Sequence, residues 1–496
     1  METLSAYVYP PEQVRELDRV AIEEMGIPGY ELMCRAGQAA FDAAHERYTF
    51  AMHWLVLCGA GNNAGDGYVI AGLARKAGLD VTVVALVDPE KLQGDAATAW
   101  KAFHSAGGAV VSLAAADFAG ADLVVDALLG TGLARELDGE FLQAVAAINA
   151  SGLPVLAVDL PSGLNGSSGV VMGAAVRASL TVSFVGLKQG FYLADGPDCT
   201  GELVFSDLDI PFDRVQHVPP ALRIFQQTDL DELLPRRPRT AHKGLFGHVL
   251  VVGGNAGMGG AVALAGAAAL RAGAGLVTVA TRPANVPVVN AACPELMAIG
   301  VVEAQDLATV LQRASVIALG PGLGADAWAA ELFDYLVGLP VPKVIDADAL
   351  NLLAASPQRR DDWVLTPHPG EAARLLNTDT GSVQRDRIAT LAELCERYGG
   401  AAILKGHASL VGTAGELPFL ITGGNPGMAS AGMGDVLTGI SAAFLAQNPS
   451  AGASRCAAAA AFAHASAGDA AAAEGERGML ATDLIAKLRT CLNHVV

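Results

Sequence analysis

The sequence predicts an α/β protein of two domains, each a three-layer αβα sandwich around a mostly parallel sheet. Three observations carry that prediction. At 496 residues the chain is too long for one ordinary hydrophobic core. Along both halves, short β-branched runs alternate with helical patterns, the rhythm of parallel strands joined by helices. Several runs, Leu123-Val124-Val125 among them, are apolar throughout, as strands buried on both faces of a sheet must be. Composition agrees: 52% hydrophobic and 17% charged residues supply a core and disfavour disorder. Many of the 57 glycines sit in clusters between apolar runs, where tight turns let backbone approach a ligand.

In chain order, Pro11–Ala44 reads as an amphipathic helical stretch that packs on the sheet or on a partner subunit. Strands are expected at His53–Cys58, Val81–Val87, Leu123–Leu128, Pro154–Leu160 and Leu180–Phe184, with helices at Asp66–Ala77, Gly94–Ala106 and Gly139–Ser151. Residues Asp207–Leu222 lose periodicity and gather Pro211, Pro219 and Pro220, so the boundary is placed there, between domains 1–220 and 225–496. A second series follows: His248–Val252, Val277–Thr281, Val316–Leu319, Val344–Asp346, Trp363–Leu365 and Ala402–Leu404, with Ala-rich helices between and after them. The halves are not repeats of each other, so the chain reads as a fusion of two different α/β domains.

A formal net charge of −19, with no basic stripe, excludes nucleic acid as a partner. The seven cysteines are scattered and form no CxxC or Cys/His spacing, which argues against a disulfide framework or a zinc site. Met1–Pro11 has neither a basic nor an apolar signal region. The Ala-rich stretches 256–280 and 457–473 are broken by Arg271 and glycines and by His464 and Asp469, so neither reads as a membrane span. The expectation is a soluble, cytoplasmic protein. Helices this rich in Ala also suit close packing between subunits, and a homo-oligomer is expected.

The C-terminal half carries a constellation suited to phosphoryl transfer, which needs donors for phosphate charge, a base for a hydroxyl, and exclusion of water. Gly432-Met433-Gly434-Asp435 precedes the helical run Val436–Leu445; its small residues let amides converge at a helix N-terminus, an anion site, with Asp435 beside it as a base. A Gly turn with a helix cap would read the same way in isolation. Four further polar loops also follow strands, the side on which open α/β sheets bind ligands: Gly320-Pro321-Gly322-Leu323-Gly324, Asp346-Ala347-Asp348-Ala349-Leu350-Asn351, Thr366-Pro367-His368-Pro369-Gly370-Glu371 and Lys405-Gly406-His407-Ala408-Ser409.

Together with Gly253-Gly254-Asn255-Ala256-Gly257 and Gly260-Ala261, this set resembles the ADP/ATP-dependent NAD(P)H-hydrate dehydratase family, ribokinase-like in fold, over roughly residues 225–492. The resemblance implies that ADP phosphorylates the C6 hydroxyl of a hydrated NADH or NADPH. Phosphate then leaves, and the reduced cofactor and AMP are released. By position it makes Asp435 the base; it gives the nucleotide to Gly434 with Lys405, Gly406, His407, Ala408 and Ser409. Ala261, Gly324, His368 and Asp435 would line the hydrate site, with Mg²⁺ as counter-ion to the phosphates.

In the N-terminal half, the strand His53–Cys58 runs into Gly59-Ala60-Gly61-Asn62-Asn63-Ala64-Gly65-Asp66-Gly67. Gly59, Gly61 and Ala64 fit a dinucleotide fingerprint loosely, with Asp88 as ribose ligand, but Asn62, Asn63 and Asp66 crowd a loop that pyrophosphate needs bare. Asp126, before Gly130-Thr131-Gly132-Leu133-Ala134-Arg135-Glu136, and Asp159, before Pro161-Ser162-Gly163, put polar groups at two more strand ends. The trio resembles the NAD(P)H-hydrate epimerase family, the YjeF N-terminal domain with its Rossmann-like fold, over about residues 10–215. That family's loop usually reads Asn-Asn-Gly-Gly-Asp-Gly; Ala64 stands here for one Gly. The resemblance implies that Asn62, Asn63, Ala64, Gly65, Asp66, residues 130–136 and Asp159 bind the hydrate, that Asp159 is the acid/base group at C6, and that Asn63, Asp126 and Ser162 hold K⁺.

The two resemblances explain each other: hydration yields R and S epimers, the dehydratase accepts S, and the epimerase supplies it from R. The competing readings are a small-alcohol or vitamin-precursor kinase fused to a nucleotide-binding module, and an N-terminal half that binds without catalysing.

Overall fold

The computed structural model describes residues 3–133 and 135–493, which divide into two compact units, Met1–Leu222 and Arg223–Val496. The N-terminal unit opens with β1 (Tyr7–Tyr9) and is built on a seven-stranded sheet of β2 (His53–Cys58), β3 (Asp80–Ala85), β4 (Val110–Val111), β5 (Leu123–Ala127), β6 (Val155–Val158), β7 (Leu180–Phe184) and β9 (Glu202–Ser206). All its pairings are parallel, in the order β4-β3-β2-β5-β6-β7-β9. Registers Cys58↔Ala127 and Asp126↔Ala157 bring the C-terminal ends of β2, β5 and β6 out at one edge. The site loops leave from that edge. Apart from this sheet, β1 pairs in parallel with β8 (Leu187–Lys188), which carries Lys188 next to the start of the chain.

Local departures from expectation have physical causes. The helix foreseen at Asp66–Ala77 spans Asn62–Lys76, so the polar Asn-Asn-Ala-Gly-Asp segment is its first turns rather than a loop. The stretch Pro11–Ala44 is not one helix: Pro11–Arg19 runs into a wider turn at Val20–Glu24, the chain breaks at Gly26 and Pro28, and Gly29–Arg47 follows. Both helices bury their apolar faces in their own unit, against Trp54, Val56 and Phe184. The aperiodic Asp207–Leu222 is packed, not loose, with Leu208, Ile210, Val215, Val218 and Leu222 buried. Asp88 caps the short turn Pro89–Lys91 by accepting from the Glu90 amide, and Gly59 is needed because a Cβ there would lie 1.9 Å from the Leu128 carbonyl oxygen.

The C-terminal unit has a ten-stranded stretch of sheet in the order β13 (Met297–Gly300), β12 (Leu276–Thr281), β11 (His248–Val252), β14 (Val316–Leu319), β15 (Lys343–Ile345), β16 (Trp363–Leu365), β17 (Ala401–Leu404), β18 (Ser409–Thr413), β19 (Phe419–Ile421), β10 (Leu222–Ile224). It is parallel as far as β17, then β18 turns antiparallel on both sides. Strands β9, β10, β13, β18 and β19 were not foreseen: they are short or edge-lying, with half-exposed patterns such as that of Met297–Gly300. The Ala-rich helix Ala453–Ala472 buries Ala457, Ala458, Ala459 and Ala460 completely, so its small side chains serve packing within its own unit. Helices Met433–Gln447 and Gly259–Arg271 touch backbone to backbone, since a Cβ on Gly439 would stand 2.1 Å from the Ala265 carbonyl oxygen.

Candidate active sites

In the N-terminal unit the edge formed by β2, β5 and β6 opens into a cleft of about 420 Å³ lined by Asn62, Asn63, Asp66, Asp159 and the backbone of Gly130–Leu133. Gly61 caps the helix Asn62–Lys76, whose first internal bond is Ala64 N to Gly61 O (3.0 Å). The Asn62 and Asn63 amides therefore precede the helical ladder and can receive an anion. Ala64 is fully buried within this helix, and Gly65 packs on Met33, so neither side of the chain there faces the cleft. Helical backbone accepts a Cβ without strain, which is why Ala64 can stand where the family has glycine. Arg135 and Glu136 are exposed and outside the lining; Ala134 lies outside the described residues.

Behind this edge, Asp126 and Ser162 form a buried hydrogen-bonded pair, while Asn63 lines the cleft itself. Ser162 Oγ donates to Asp126 Oδ1 (2.6 Å) and Ser162 N to Asp126 Oδ2 (2.8 Å), while Leu129 N donates to Ser162 Oγ (2.9 Å). Burial pushes the Asp126 carboxyl up to about 6, against the hydrogen bonds from Ser162 and Leu128. The Asn63 side-chain amide is buried with its nitrogen unpartnered. The carboxylate of Asp126 and the hydroxyl of Ser162 are oxygen donors of the kind a hard monovalent cation takes, whereas the orphaned Asn63 nitrogen is an N–H donor that calls for an acceptor.

Asp159 has a left-handed backbone (φ +68), which lets its amide bond Val182 O (2.8 Å) while its side chain turns into the cleft. Its carboxylate is paired with the Lys188 ammonium, a fully buried group that also donates to Ser183 Oγ (3.0 Å) and Phe184 O (3.1 Å). Burial first, then the charges of Asp159 and Asp18, push the Asp66 carboxyl well above the usual range. Lys188 was not foreseen; a lone lysine after a two-residue strand gives no periodic or motif signal.

In the C-terminal unit, Gly432 (φ +89) caps the helix Met433–Gln447, and the first helical bond is Val436 N to Gly432 O (3.0 Å). The amides of Met433, Gly434 and Asp435 thus stand ahead of the ladder. A Cβ on Gly434 would lie 3.5 Å from Lys405 Nζ and 3.8 Å from Asp346 Oδ2, so this turn rests on a buried ion pair. Lys405 Nζ bonds Asp346 Oδ1 (3.0 Å) and lies 3.8 Å from Glu371 Oε2. Asp346 also accepts from Thr366 Oγ1 and Thr438 Oγ1, both at 2.7 Å. Burial lowers the Lys405 pKa, but Asp346, Glu371 and Asp435 outweigh it and the ammonium is stabilised. Asp435 is pushed up to about 7, by burial first and then by Asp346 and Asp348, with Lys405 opposing.

The other expected residues fall around this centre unevenly. Gly324 (φ +79) donates its amide to Asp348 Oδ2 (2.7 Å), and Ala261 lies beside the same glycine loop, where a Cβ on Gly322 would be 3.2 Å from its methyl. His368 is not free in a loop. It caps the helix Pro369–Leu376, its Nδ1 accepting from Gly370 N (3.0 Å) and Glu371 N (3.3 Å) while Glu371 accepts from His368 N (2.8 Å). Gly406 and His407 are exposed, Ser409 begins β18, and Ala408 is buried, so only its backbone can serve a ligand. Arg387, also unforeseen, lies beneath this loop and donates to Leu404 O (3.1 Å).

Comparison with known proteins bears on both units. The profile of the NAD(P)H-hydrate dehydratase family matches residues 249–490, and that of the YjeF-related protein N-terminus matches residues 29–190. The chain is 47% identical to the bifunctional NAD(P)H-hydrate repair enzyme of Coxiella burnetii, over 98% of this chain and 99% of that one. To the corresponding enzyme of Escherichia coli it is 42% identical, over 99% and 94%. Among solved structures, a ribokinase-like superfamily protein from Enterococcus faecalis is 34% identical with a TM-score of 0.51, covering 55% of this chain and 95% of that one. The architecture is thus a Rossmann-like αβα unit followed by a ribokinase-like one, and the kinase-plus-binding-module alternative loses its support. With near-complete coverage of relatives at this identity, the chain belongs to the family of bifunctional NAD(P)H-hydrate repair enzymes.

Proposed function

We propose that the chain repairs hydrated NADH and NADPH in two steps. The N-terminal unit interconverts the R and S epimers at C6, and the C-terminal unit dehydrates the S epimer with ADP as phosphoryl donor, releasing AMP and phosphate. The observation that carries this reading is the Gly434–Asp435 turn seated on the Lys405–Asp346 pair, a carboxyl beside helix amides that stand ahead of the helical ladder.

In the dehydratase site, Asp435 takes the proton of the C6 hydroxyl as its oxygen attacks phosphorus. The Met433 and Gly434 amides receive phosphate charge, and the backbone of Lys405–Ser409 seats the nucleotide. Ala261, Gly324 and His368 border the hydrate. Mg²⁺, when bound with the nucleotide, neutralises phosphate charge. In the epimerase site, Asn62, Asn63 and Asp66 at the start of their helix bind the hydrate together with Gly130–Leu133, with Arg135 and Glu136 reachable only by parts of the substrate beyond the cleft. Asp159, paired with the Lys188 ammonium, handles the proton at C6. K⁺ held by Asn63, Asp126 and Ser162 supplies a fixed positive charge beside the cleft. Work in the cytoplasm as a homo-oligomer completes the reading; among the described residues no helix is long and apolar enough to cross a membrane.

The direct test incubates a mixed R/S hydrate with the protein, ADP and Mg²⁺ and follows the near-ultraviolet absorbance of the dihydronicotinamide ring. Full recovery is expected from both epimers. Recovery of neither would sink the reading, and recovery of S alone would remove its N-terminal half.

A further inference from the structure

The epimerase cleft holds carboxylates that its family resemblance does not assign, and Asp18 is the one nearest the buried charges. Asp18 comes from the helix Pro11–Arg19, outside residues 29–190 matched by the N-terminal family profile, and it lines the same cleft as Asp66 and Asp159. The fold delivers it there: β1 pairs with β8, and the helix that follows β1 therefore runs back along the strand bearing Lys188.

A charge count shows what Asp18 is for. Three carboxyls, Asp18, Asp66 and Asp159, surround a single buried ammonium, and an ammonium has three protons to donate. Lys188 gives all three away, to Asp159, Ser183 Oγ and Phe184 O. Neither Asp18 nor Asp66 receives one. Arg15, on the same helix, and Asp95 also border the cleft. With one cation already committed to Asp159, the other two carboxyls are most stable with a proton on them. Asp66 is the deeper of the two, and burial pushes its carboxyl well up. Asp18 is half-buried at the cleft wall, where burial and Asp159, opposed by Lys188, push it up to about 7; its proton can be exchanged.

We propose that Asp18 is the general acid of the epimerase, paired with Asp159 as its base. This rests on the assignment of C6 epimerisation to the N-terminal unit. In the forward half-step the Asp18 carboxyl gives its proton to the C6 hydroxyl. The C6–O bond breaks and its electron pair leaves with water, while the ring nitrogen lone pair forms the N1=C6 bond. In the return half-step water adds to C6 from the opposite face, the N1=C6 pair returns to nitrogen, and Asp159 takes the proton that water sheds. Transfer of that proton to Asp18 through the cleft water restores the starting state, and no oxidant or other reactant is consumed.

The test measures conversion of pure R hydrate in the intact chain, with dehydration of pure S hydrate read in parallel. Asp18→Asn is expected to slow epimerisation by about 10²-fold or more. It should also remove the alkaline limb of the epimerisation pH profile, which in the parent protein falls as Asp18 loses its proton above about 7. Asp18→Glu should restore part of the rate and bring the limb back. Oxygen-18 from solvent water should enter the product once per inversion. An Asp18→Asn protein that keeps the alkaline limb, or whose loss of rate simply follows a loss of thermal stability, would overturn the proposal. Asp159→Asn separates the two levels: if it leaves epimerisation intact, the assignment of the site itself fails, whereas an inactive Asp159→Asn beside a fully active Asp18→Asn refutes only the role of Asp18.

Discussion

The two sites solve one electrostatic problem in opposite ways. Each gathers three or more carboxyls around one buried lysine: Asp159, Asp66 and Asp18 around Lys188, and Asp346, Glu371 and Asp435 around Lys405. In the N-terminal unit the lysine bonds Asp159, the carboxylate proposed to react, and burial and neighbouring charges push the other carboxyls upward. In the C-terminal unit the lysine bonds Asp346, which two threonine hydroxyls also satisfy, and Asp435, the carboxyl proposed to react, is left without that bond and raised to about 7. Which carboxyl the lysine is given to decides which one titrates near neutrality. An Asp159 bonded to an ammonium suits the repeated proton exchange proposed for the epimerase. A more basic Asp435 suits a single deprotonation of a weakly acidic hydroxyl.

The largest expected effect tests whether the two centres are independent. Asp435→Asn should lower dehydration of the S epimer by about 10³-fold, in the range for loss of a positioned base, while R-to-S conversion is unchanged. A matching fall in epimerisation would mean the sites are coupled. Next comes removal of the supporting cation. Lys405→Met leaves Asp346 buried and unpaired, and should cost about 3 kcal/mol in denaturant unfolding of the C-terminal unit as well as dehydration activity. An unaltered midpoint would show that Thr366 and Thr438 alone satisfy Asp346.

A purely steric change should touch only one side of the comparison. Gly439→Ala places a methyl against the Ala265 carbonyl, and should lower stability by about 2 kcal/mol without altering the epimerase. The smallest effect is in pH. Because the acting form of Asp435 is the carboxylate and its pKa is raised, dehydration should rise with pH through about 7 and level off above it. Below that point the rate should fall by about tenfold per unit, as for any single essential base. A profile flat down to pH 5 would remove Asp435 as the base.

Much of this was legible beforehand. Strands such as His53–Cys58 and His248–Val252 were read to the residue, because continuous apolar β-branched runs bounded by glycine admit few alternatives. Asp435 and Asp159 could be picked out because each follows or opens an element at a strand or helix end. The state of the Asn62–Asp66 segment was misread for an equally physical reason: Asn, Gly and Asp are turn-formers locally, and only packing of Gly65 on Met33 and of Gly67 against Ala127 and Cys58 pulls them into a helix.

By itself, the order of residues determined the elements, the two-part organisation and the glycine-rich turns at which chemistry can occur, since those depend on neighbours a few positions apart. Tertiary structure decided the charges. Lys188 meets Asp159 across 29 positions, Lys405 meets Asp346 across 59, and Thr438 reaches that same carboxylate across 92. A carboxyl's proton is governed by burial and by the nearest opposite charge, and both are properties of packing that no local pattern encodes.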